Sequence, residues 1–229
     1  MSETKKSQKE KGKGANIHDA FFLKTMKTKE NAIDFLKIAL PNKILKHLDL
    51  QKIKYEDTSY IKKNLGKYFS DLVFKTQIGG EKAYLYFLLE HKSSPSNTKK
   101  ELFYQLLHYR FLMLEEDILN KRELRPVIPL VFYHGKHKWN VPKDFLELFN
   151  VPQEIKPWLL NFRYLLYKTK APSNKLEQQL SHNVILLSAL IALKNAFEED
   201  ILKGLQEVLN VLERLELTQY TDYIETLII

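Results

Sequence analysis

The chain has 229 residues, of which 44% are hydrophobic and 28% are charged, so it can bury a core large enough for one domain or for one domain with a small appendage. No uninterrupted apolar run reaches the roughly 18 residues that a membrane span requires, and the lysine-rich start lacks the apolar segment of a signal peptide. The sequence therefore predicts a cytoplasmic protein with no membrane partner. Because cysteine is absent, disulfides and cysteine-based zinc sites are excluded.

The net charge of +8 has two interpretations. A basic surface attracts polyanions such as DNA through phosphate contacts, but a lysine-rich composition can also be basic without any such partner. Residues 1–16 contain five lysines and no aromatic residue, which predicts a disordered basic tail. This tail either helps to hold DNA or is a solvated segment with no specific role.

Residues 18–40 have the apolar spacing of two helices, broken near Thr28, and Pro41 ends the second one. Asp19 either caps the first helix or faces the active site as an accessory group. A short helix is expected at residues 42–48. One short strand is expected in either residues 50–55 or residues 59–65.

Two apolar runs rich in β-forming residues, 72–78 and 83–89, flank Gly79-Gly80. Glycine supplies the positive φ angles that a two-residue primed turn needs, so this stretch predicts a β-hairpin. With Gly79 and Gly80 as the turn, Ile78 pairs with Glu81, and counting back places Asp71 opposite Leu88.

Charged residues stand at the ends of these two buried strands. Since side chains alternate along a strand, the predicted register puts Asp71, Glu90 and Lys92 on one face of the sheet. A three-residue turn would move Asp71 to the other face unless a bulge compensated. The predicted site therefore depends on the length of the turn.

Residues 99–120 have the pattern of a long amphipathic helix that Thr98 can cap, and this helix is expected to lie over the hairpin. Gln105 lies among its apolar positions. Its amide either hydrogen-bonds the residues of the site or is an ordinary surface group.

Residues 127–133 (VIPLVFY) predict a central strand covered on both faces, although Pro129 favours a bulge or an edge. His134, His137 and Trp139 follow without the spacing of a known ligand motif, so we interpret them as a polar loop. A short helix at 143–149 and a strand at 162–167 come next. From residue 176 the pattern is helical, and its broad leucine stripe is typical of a core or a subunit interface.

Phosphodiester hydrolysis needs an activated water and a means of neutralising charge on the phosphate oxygens. Mg²⁺, which prefers few carboxylates and several waters, suits a site made by Asp71 and Glu90, and Mn²⁺ is an alternative. Lys92 would orient the attacking water and offset negative charge. An Asp followed 19 residues later by Glu-x-Lys is a weak signal by spacing alone, but its placement at strand ends, on one face and next to a long helix, predicts a metal-dependent nuclease centre.

These residues resemble the pattern of the PD-(D/E)xK nuclease superfamily, with Gln105 matching a helix residue of many members and Ser70 replacing the usual proline. Over residues 16–167 the chain more closely resembles the recombination-promoting nuclease (Rpn) family, also described as YhgA-like transposases. The motifs that carry this resemblance are HDAFFLK (18–24), LP (40–41), LDL (48–50), SDL (70–72), EHKS (90–93), YQLLHY (104–109), PLVFYHG (129–135) and Trp139.

The resemblance implies an α/β (α+β) fold with a restriction-endonuclease-like mixed sheet flanked by helices. Together with the residue pattern it predicts a tail (1–16), a nuclease-like domain (17–170) and a helical segment (171–229), and the leucine stripe of that segment predicts homo-oligomers. The implied function is Mg²⁺-dependent DNA endonuclease activity linked to recombination or to defence against foreign DNA. The alternatives are an inactive nuclease fold that binds DNA or regulates through its C-terminal helices, and a purely structural basic protein.

Overall fold

A computed structural model describes residues 22–56, 71–90, 98–133, 138–168 and 174–195, together with residues 206, 209, 210 and 213. Side chains are described in these ranges except at residues 71, 86–90, 98 and 174–176. Several predictions lie outside the described residues: the tail at 1–16, the role of Asp19, a strand at 59–65, and most of the C-terminal helices. The described residues belong to two compact units, one within 40–168 and one made of parts of 1–39 and 169–229.

The described part of the chain contains both helices and strands. In sequence order they are α1 (Lys29–Ala39), α2 (Asn42–Leu45), β1 (Lys54–Glu56), β2 (Asp71–Ile78), β3 (Glu81–Glu90), α3 (Thr98–Leu119), β4 (Val127–Tyr133), β5 (Leu165–Lys168), α4 (Asn174–Gln179) and α5 (Val184–Asn195). Short 3₁₀ turns lie at Leu50–Lys52, Phe145–Leu148 and Lys156–Trp158. No helix among the described residues is long and apolar enough to cross a bilayer.

The sheet of unit 40–168 has five strands in the order β1-β2-β3-β4-β5. The β1-β2 and β2-β3 pairs are antiparallel, and the β3-β4 and β4-β5 pairs are parallel. A parallel neighbour requires a long crossover, and α3 supplies it between β3 and β4. This mixed sheet with helices confirms the predicted α/β, restriction-endonuclease-like fold class.

Most predicted elements of this unit are confirmed. The hairpin, the long helix and the strand at 127–133 have the predicted positions, and the short strand falls at 54–56. β4 is an interior strand, and its pairing with β5 begins at Leu130, just after Pro129. The short helix predicted at 143–149 is a 3₁₀ turn, and the predicted strand at 162–167 is shifted to residues 165–168.

One face of the sheet packs against α3. The helix contributes residues spaced three or four apart, as expected for one buried stripe. The members of this buried cluster are Val73, Tyr84, Leu102, Phe103, Leu106, Tyr109, Met113, Val127, Val131, Val141, Phe162 and Tyr164. Rings of Phe103 and Phe162 meet edge to face with their centroids 5.6 Å apart.

A buried ion pair fixes the far end of α3. Asp117 is fully buried and its carboxylate accepts hydrogen bonds from the guanidinium and the backbone N–H of Arg125. These hydrogen bonds raise the pKa of Arg125. The guanidinium carbon also lies 4.2 Å from the ring centroid of Tyr84, and burial raises the pKa of that phenol to about 12. The pair thus joins α3 to β3 and to the segment that enters β4.

In the second unit, one carboxylate joins α1 to the segment that precedes α5. Asp34 of α1 accepts hydrogen bonds from Asn183 (2.9 Å), from Nε2 of His182 (3.0 Å) and from Lys37 (3.1 Å). Asn183 also accepts a hydrogen bond from the backbone N–H of Leu186 in the first turn of α5. Burial alone would raise the pKa of Asp34, but the three hydrogen bonds outweigh it and lower the pKa below 3.8.

Removing one member of the Asp117–Arg125 pair is expected to destabilise unit 40–168. Arg125→Met leaves a buried carboxylate without its partner, which costs about 3–5 kcal/mol. The measurement is the free energy of unfolding from urea titration. Asp117→Leu combined with Arg125→Met is the control, because it removes both charges and should be less destabilising than Arg125→Met alone. A double variant as unstable as the single one would contradict this account.

Asp34→Asn is expected to destabilise the other unit in a pH-dependent way. A carboxylate whose folded pKa is lowered stabilises the protein above its unfolded pKa, and that stability is lost as the pH falls below 3.8. We therefore expect a cost of about 1–3 kcal/mol at neutral pH, which shrinks toward zero in acid. The measurement compares unfolding of both proteins across pH. Lys37→Met, at an exposed side chain, is the control and should have little effect at any pH.

Candidate functional site

The site is organised by the turn of the β2-β3 hairpin. Gly79 and Gly80 have φ angles of +58° and +96°, and Ile78 pairs directly with Glu81. Two positive φ values are the mark of the type I′ turn, whose twist matches that of the flanking strands. The turn therefore contains two residues, as predicted, and no bulge interrupts the eight paired positions of β2.

This register brings the ends of the two strands together in the predicted way. Asp71 is the first residue of β2 and pairs with Leu88, and Glu90 is the last residue of β3. Positions 71 and 90 are thus diagonal neighbours on the same face of the sheet, with a spacing of about 7–8 Å between Cα atoms. The side chains of Asp71 and Glu90, and the whole of Lys92, lie outside the described residues, so their convergence stays a prediction.

The face to which these positions belong is the one that α3 covers. Val73 lies two residues from Asp71, and Tyr84 lies six residues from Glu90, so both are on this face. They are buried in the cluster against the helix. Gln105 lies on α3 between the buried Leu102 and Tyr109 and is itself half-buried. Its amide makes no hydrogen bond to another described residue. The role of Gln105 in the site therefore stays a prediction.

A carboxylate that the sequence did not reveal lies on the same face. Glu56 of β1 pairs in register with Val73, one row of residues away from Asp71. Its carboxylate is 2.6 Å from the ammonium nitrogen of Lys75. The ion pair neutralises Glu56, and Asp117 is neutralised by Arg125. No sequence signal identifies Glu56, because β1 has only three residues and its register depends on pairing with β2.

An aromatic cluster stands beside the end of β3. Tyr133 of β4 is the register partner of Glu90, and its ring centroid lies 4.7 Å from that of Trp139. Trp139 donates a hydrogen bond from Nε1 to the hydroxyl of Tyr164 (3.0 Å), which in turn donates to the carbonyl of Val141 (3.3 Å). Burial raises the pKa of Tyr164. Trp139 therefore lies in a loop, as interpreted, but its ring packs in this aromatic cluster; His134 and His137 lie outside the described residues.

Metal binding at this site depends on the donors that the fold supplies. Among the side chains that the structure describes, no group of three or more His, Asp or Glu residues could hold a metal ion. Asp71 and Glu90 are not among those side chains. Two carboxylates at adjacent strand ends are the kind of donor set that Mg²⁺ prefers when waters complete its coordination.

Comparisons with known proteins identify relatives of this chain. A family model described as "Putative transposase, YhgA-like" matches residues 16–222. The inactive recombination-promoting nuclease-like protein RpnE of Escherichia coli K12 is 30% identical over 199 residues, which is 86% of this chain and 64% of RpnE. The recombination-promoting nucleases RpnC and RpnA of the same organism are each 29% identical, over 52% and 55% of this chain and over 39% and 42% of their own lengths.

The chain thus spans between about two fifths and two thirds of the length of these three relatives. No solved structure matches it. The names of these relatives include both nucleases and a protein that is described as inactive.

The register of the hairpin is expected to depend on the backbone conformation at Gly79. A Cβ atom at this position has nothing within 4 Å, so steric contact is not the constraint. Because β-branched residues rarely adopt positive φ, Gly79→Val should destabilise the protein by about 1–3 kcal/mol. Gly79→Asn is the matched control and should be nearly neutral, since asparagine tolerates this conformation. Chemical denaturation of both variants provides the measurement, and equal effects would contradict the argument.

Proposed function

This chain belongs to the YhgA-like transposase family, and we propose that it is a Mg²⁺-dependent DNA endonuclease that acts in recombination or in defence against foreign DNA. The observation that carries the proposal is the β2-β3 register, which aligns positions 71 and 90 at neighbouring strand ends. The names of RpnC and RpnA, which describe recombination-promoting nucleases, support the same function.

In this proposal Asp71 and Glu90 hold the metal ion, with Mn²⁺ as a substitute for Mg²⁺. When bound, the ion would lower the pKa of a coordinated water and offset charge on the phosphate. Two acidic residues near this face already have basic partners: Glu56 pairs with Lys75, and Asp117 of α3 pairs with Arg125. This pairing supports the assignment of the metal ion to Asp71 and Glu90 in the proposal.

Lys92 and Gln105 have supporting roles in the proposal. Lys92, two residues beyond Glu90, would place a positive charge next to the scissile phosphate and orient the attacking water. Gln105 would donate a hydrogen bond from its amide at the margin of the site, and its half-buried position on α3 supports this role. The packing of α3 against the sheet fixes the distance between the helix and the strand ends.

The proposed substrate is DNA in the cytoplasm. The net charge of +8 favours a polyanion, and part of this charge would contact phosphates along the backbone. Binding should therefore weaken as the salt concentration rises.

A second candidate function is DNA binding or regulation without catalysis. It is favoured by the name of RpnE, which describes an inactive nuclease-like protein and which matches 86% of this chain. In this case the fold and the basic charge would be retained, but the metal would not stimulate cleavage.

The decisive experiment is cleavage of plasmid DNA with and without Mg²⁺ or Mn²⁺. We expect Asp71→Asn and Glu90→Gln each to reduce the cleavage rate at least about 100-fold, because each removes a proposed metal ligand. Glu81→Gln is the matched control: it is an exposed carboxylate at the opposite end of the same strand and should keep full activity.

Two results would count against catalysis by these residues. Cleavage that survives in both site variants would show that Asp71 and Glu90 do not form the centre. Salt-sensitive DNA binding without cleavage by the wild-type protein, together with no heat of Mg²⁺ binding in calorimetry, would favour the regulatory alternative.

A further inference from the structure

The long helix α3 has a second apolar stripe on the side that faces away from the sheet. Tyr104, Phe111 and Ile118 follow one another at intervals of seven residues and are 63%, 61% and 63% exposed. A seven-residue interval returns nearly to the same side of a helix, so these side chains form one line. The opposite side of α3, with Leu102, Leu106, Tyr109 and Met113, is already buried against the sheet.

Two charged residues of this outward side are placed symmetrically about its midpoint. Lys100 lies four residues before Tyr104, and Glu115 lies four residues after Phe111; both charged residues are exposed. The midpoint of both pairs falls between Leu107 and His108. Along the helix the order is therefore base, aromatic ring, aromatic ring and acid, with equal spacing on either side of the midpoint.

Across a twofold axis through that midpoint, the segment from Lys100 to Glu115 would be complementary to itself. In two antiparallel copies of α3, Tyr104 of one copy lies opposite Phe111 of the other, and Lys100 lies opposite Glu115. A twofold interface requires such a self-complementary surface, because each residue meets its counterpart in both directions. Aromatic pairs at the centre and charges at the rim are the usual composition of protein interfaces.

We propose that the outward side of α3 is a homodimer interface in which two copies of this helix pack antiparallel about an axis near Leu107 and His108. The 22-residue helix is about 33 Å long, and the stripe from Lys100 to Glu115 covers most of it. The same surface is poorly suited to DNA, because Glu115 would repel phosphates and Ile118 would offer them no hydrogen bond. The occupant is therefore a second copy of the chain.

Self-association of the full chain is measured by sedimentation equilibrium over a range of concentrations. We expect a monomer–dimer equilibrium that Phe111→Glu weakens at least about tenfold, since a buried acidic side chain would replace a central aromatic anchor. Trp158→Glu is the matched control, because Trp158 is 84% exposed but lies outside α3. It should leave the equilibrium unchanged. Circular dichroism establishes that each variant is folded.

Charge reversal tests the predicted pairing independently of folding. Lys100→Glu places two acids opposite each other and should weaken the dimer, as should Glu115→Lys by placing two bases together. Lys100→Glu combined with Glu115→Lys restores opposite charges and should recover the dimer. Failure of the double variant to recover it would overturn the antiparallel arrangement.

Chemical cross-linking tests the orientation of the helices. The chain contains no cysteine, so single introduced cysteines react with a short bis-maleimide without background. His108→Cys, next to the axis, should cross-link with itself. Lys100→Cys should cross-link to Glu115→Cys in a mixture of the two variants, and not to itself.

Three further results would overturn the proposal. They are a monomer at all concentrations, efficient cross-linking of Lys100→Cys to itself, and a dimer that is unaffected by Phe111→Glu. The last result would place the interface elsewhere, for example on the C-terminal helices. None of these measurements depends on nuclease activity, so the dimer proposal and the functional proposal fail separately.

Discussion

The pairing register of β2 and β3 is the constraint on which the rest of this structure depends. Side chains alternate along a strand, so a shift by one residue would exchange the two faces of the hairpin. The I′ turn at Gly79-Gly80 prevents that shift, because its two positive φ angles set the turn length and the twist together. With the register fixed, Val73 and Tyr84 are buried beneath α3, and positions 71 and 90 lie on the same face of the sheet.

The polar groups on that face are distributed in a way that follows from the cost of burying charge. An unpaired buried charge is strongly unfavourable, so the acidic side chains that pack near this face have basic partners. Asp117 has Arg125, and Glu56 has Lys75. In the proposal, the carboxylates of Asp71 and Glu90 at the ends of β2 and β3 are instead balanced by a hydrated cation.

Local features of the sequence were sufficient to predict most of unit 40–168. The Gly79-Gly80 turn has a strong conformational signature, and the long helix and the strand at 127–133 have unambiguous periodicity. The 3₁₀ turn at Phe145–Leu148 was predicted as a helix because four residues with helical spacing do not distinguish the two forms. Trp139 is a loop residue, as interpreted, but the packing of its ring was not predicted, because the contact with Tyr164 joins residues distant in sequence.

For the candidate site, the sequence predicted the register that aligns Asp71 with Leu88, since that register is a count from the turn. It did not predict Glu56 or the ion pairs, because Asp117 and Arg125 become neighbours only when α3 ends and the chain turns into β4. Nor did it predict the hydrogen bonds around Asp34, whose donors His182 and Asn183 lie almost 150 residues away. Long-range polar contacts leave no periodic signal.

The residues of α3 are apolar on two sides, and the two sides have different physical explanations. A helix that packs on one sheet face needs a single stripe, and Leu102, Leu106, Tyr109 and Met113 provide it. The sheet does not account for Tyr104, Phe111 and Ile118, whose burial requires a second surface. If that surface is another copy of α3, association would favour the folded form of the helix, because a partner that binds only the native state stabilises it. Dimerisation would then strengthen the packing of α3 on the sheet, and with it the scaffold of the candidate site.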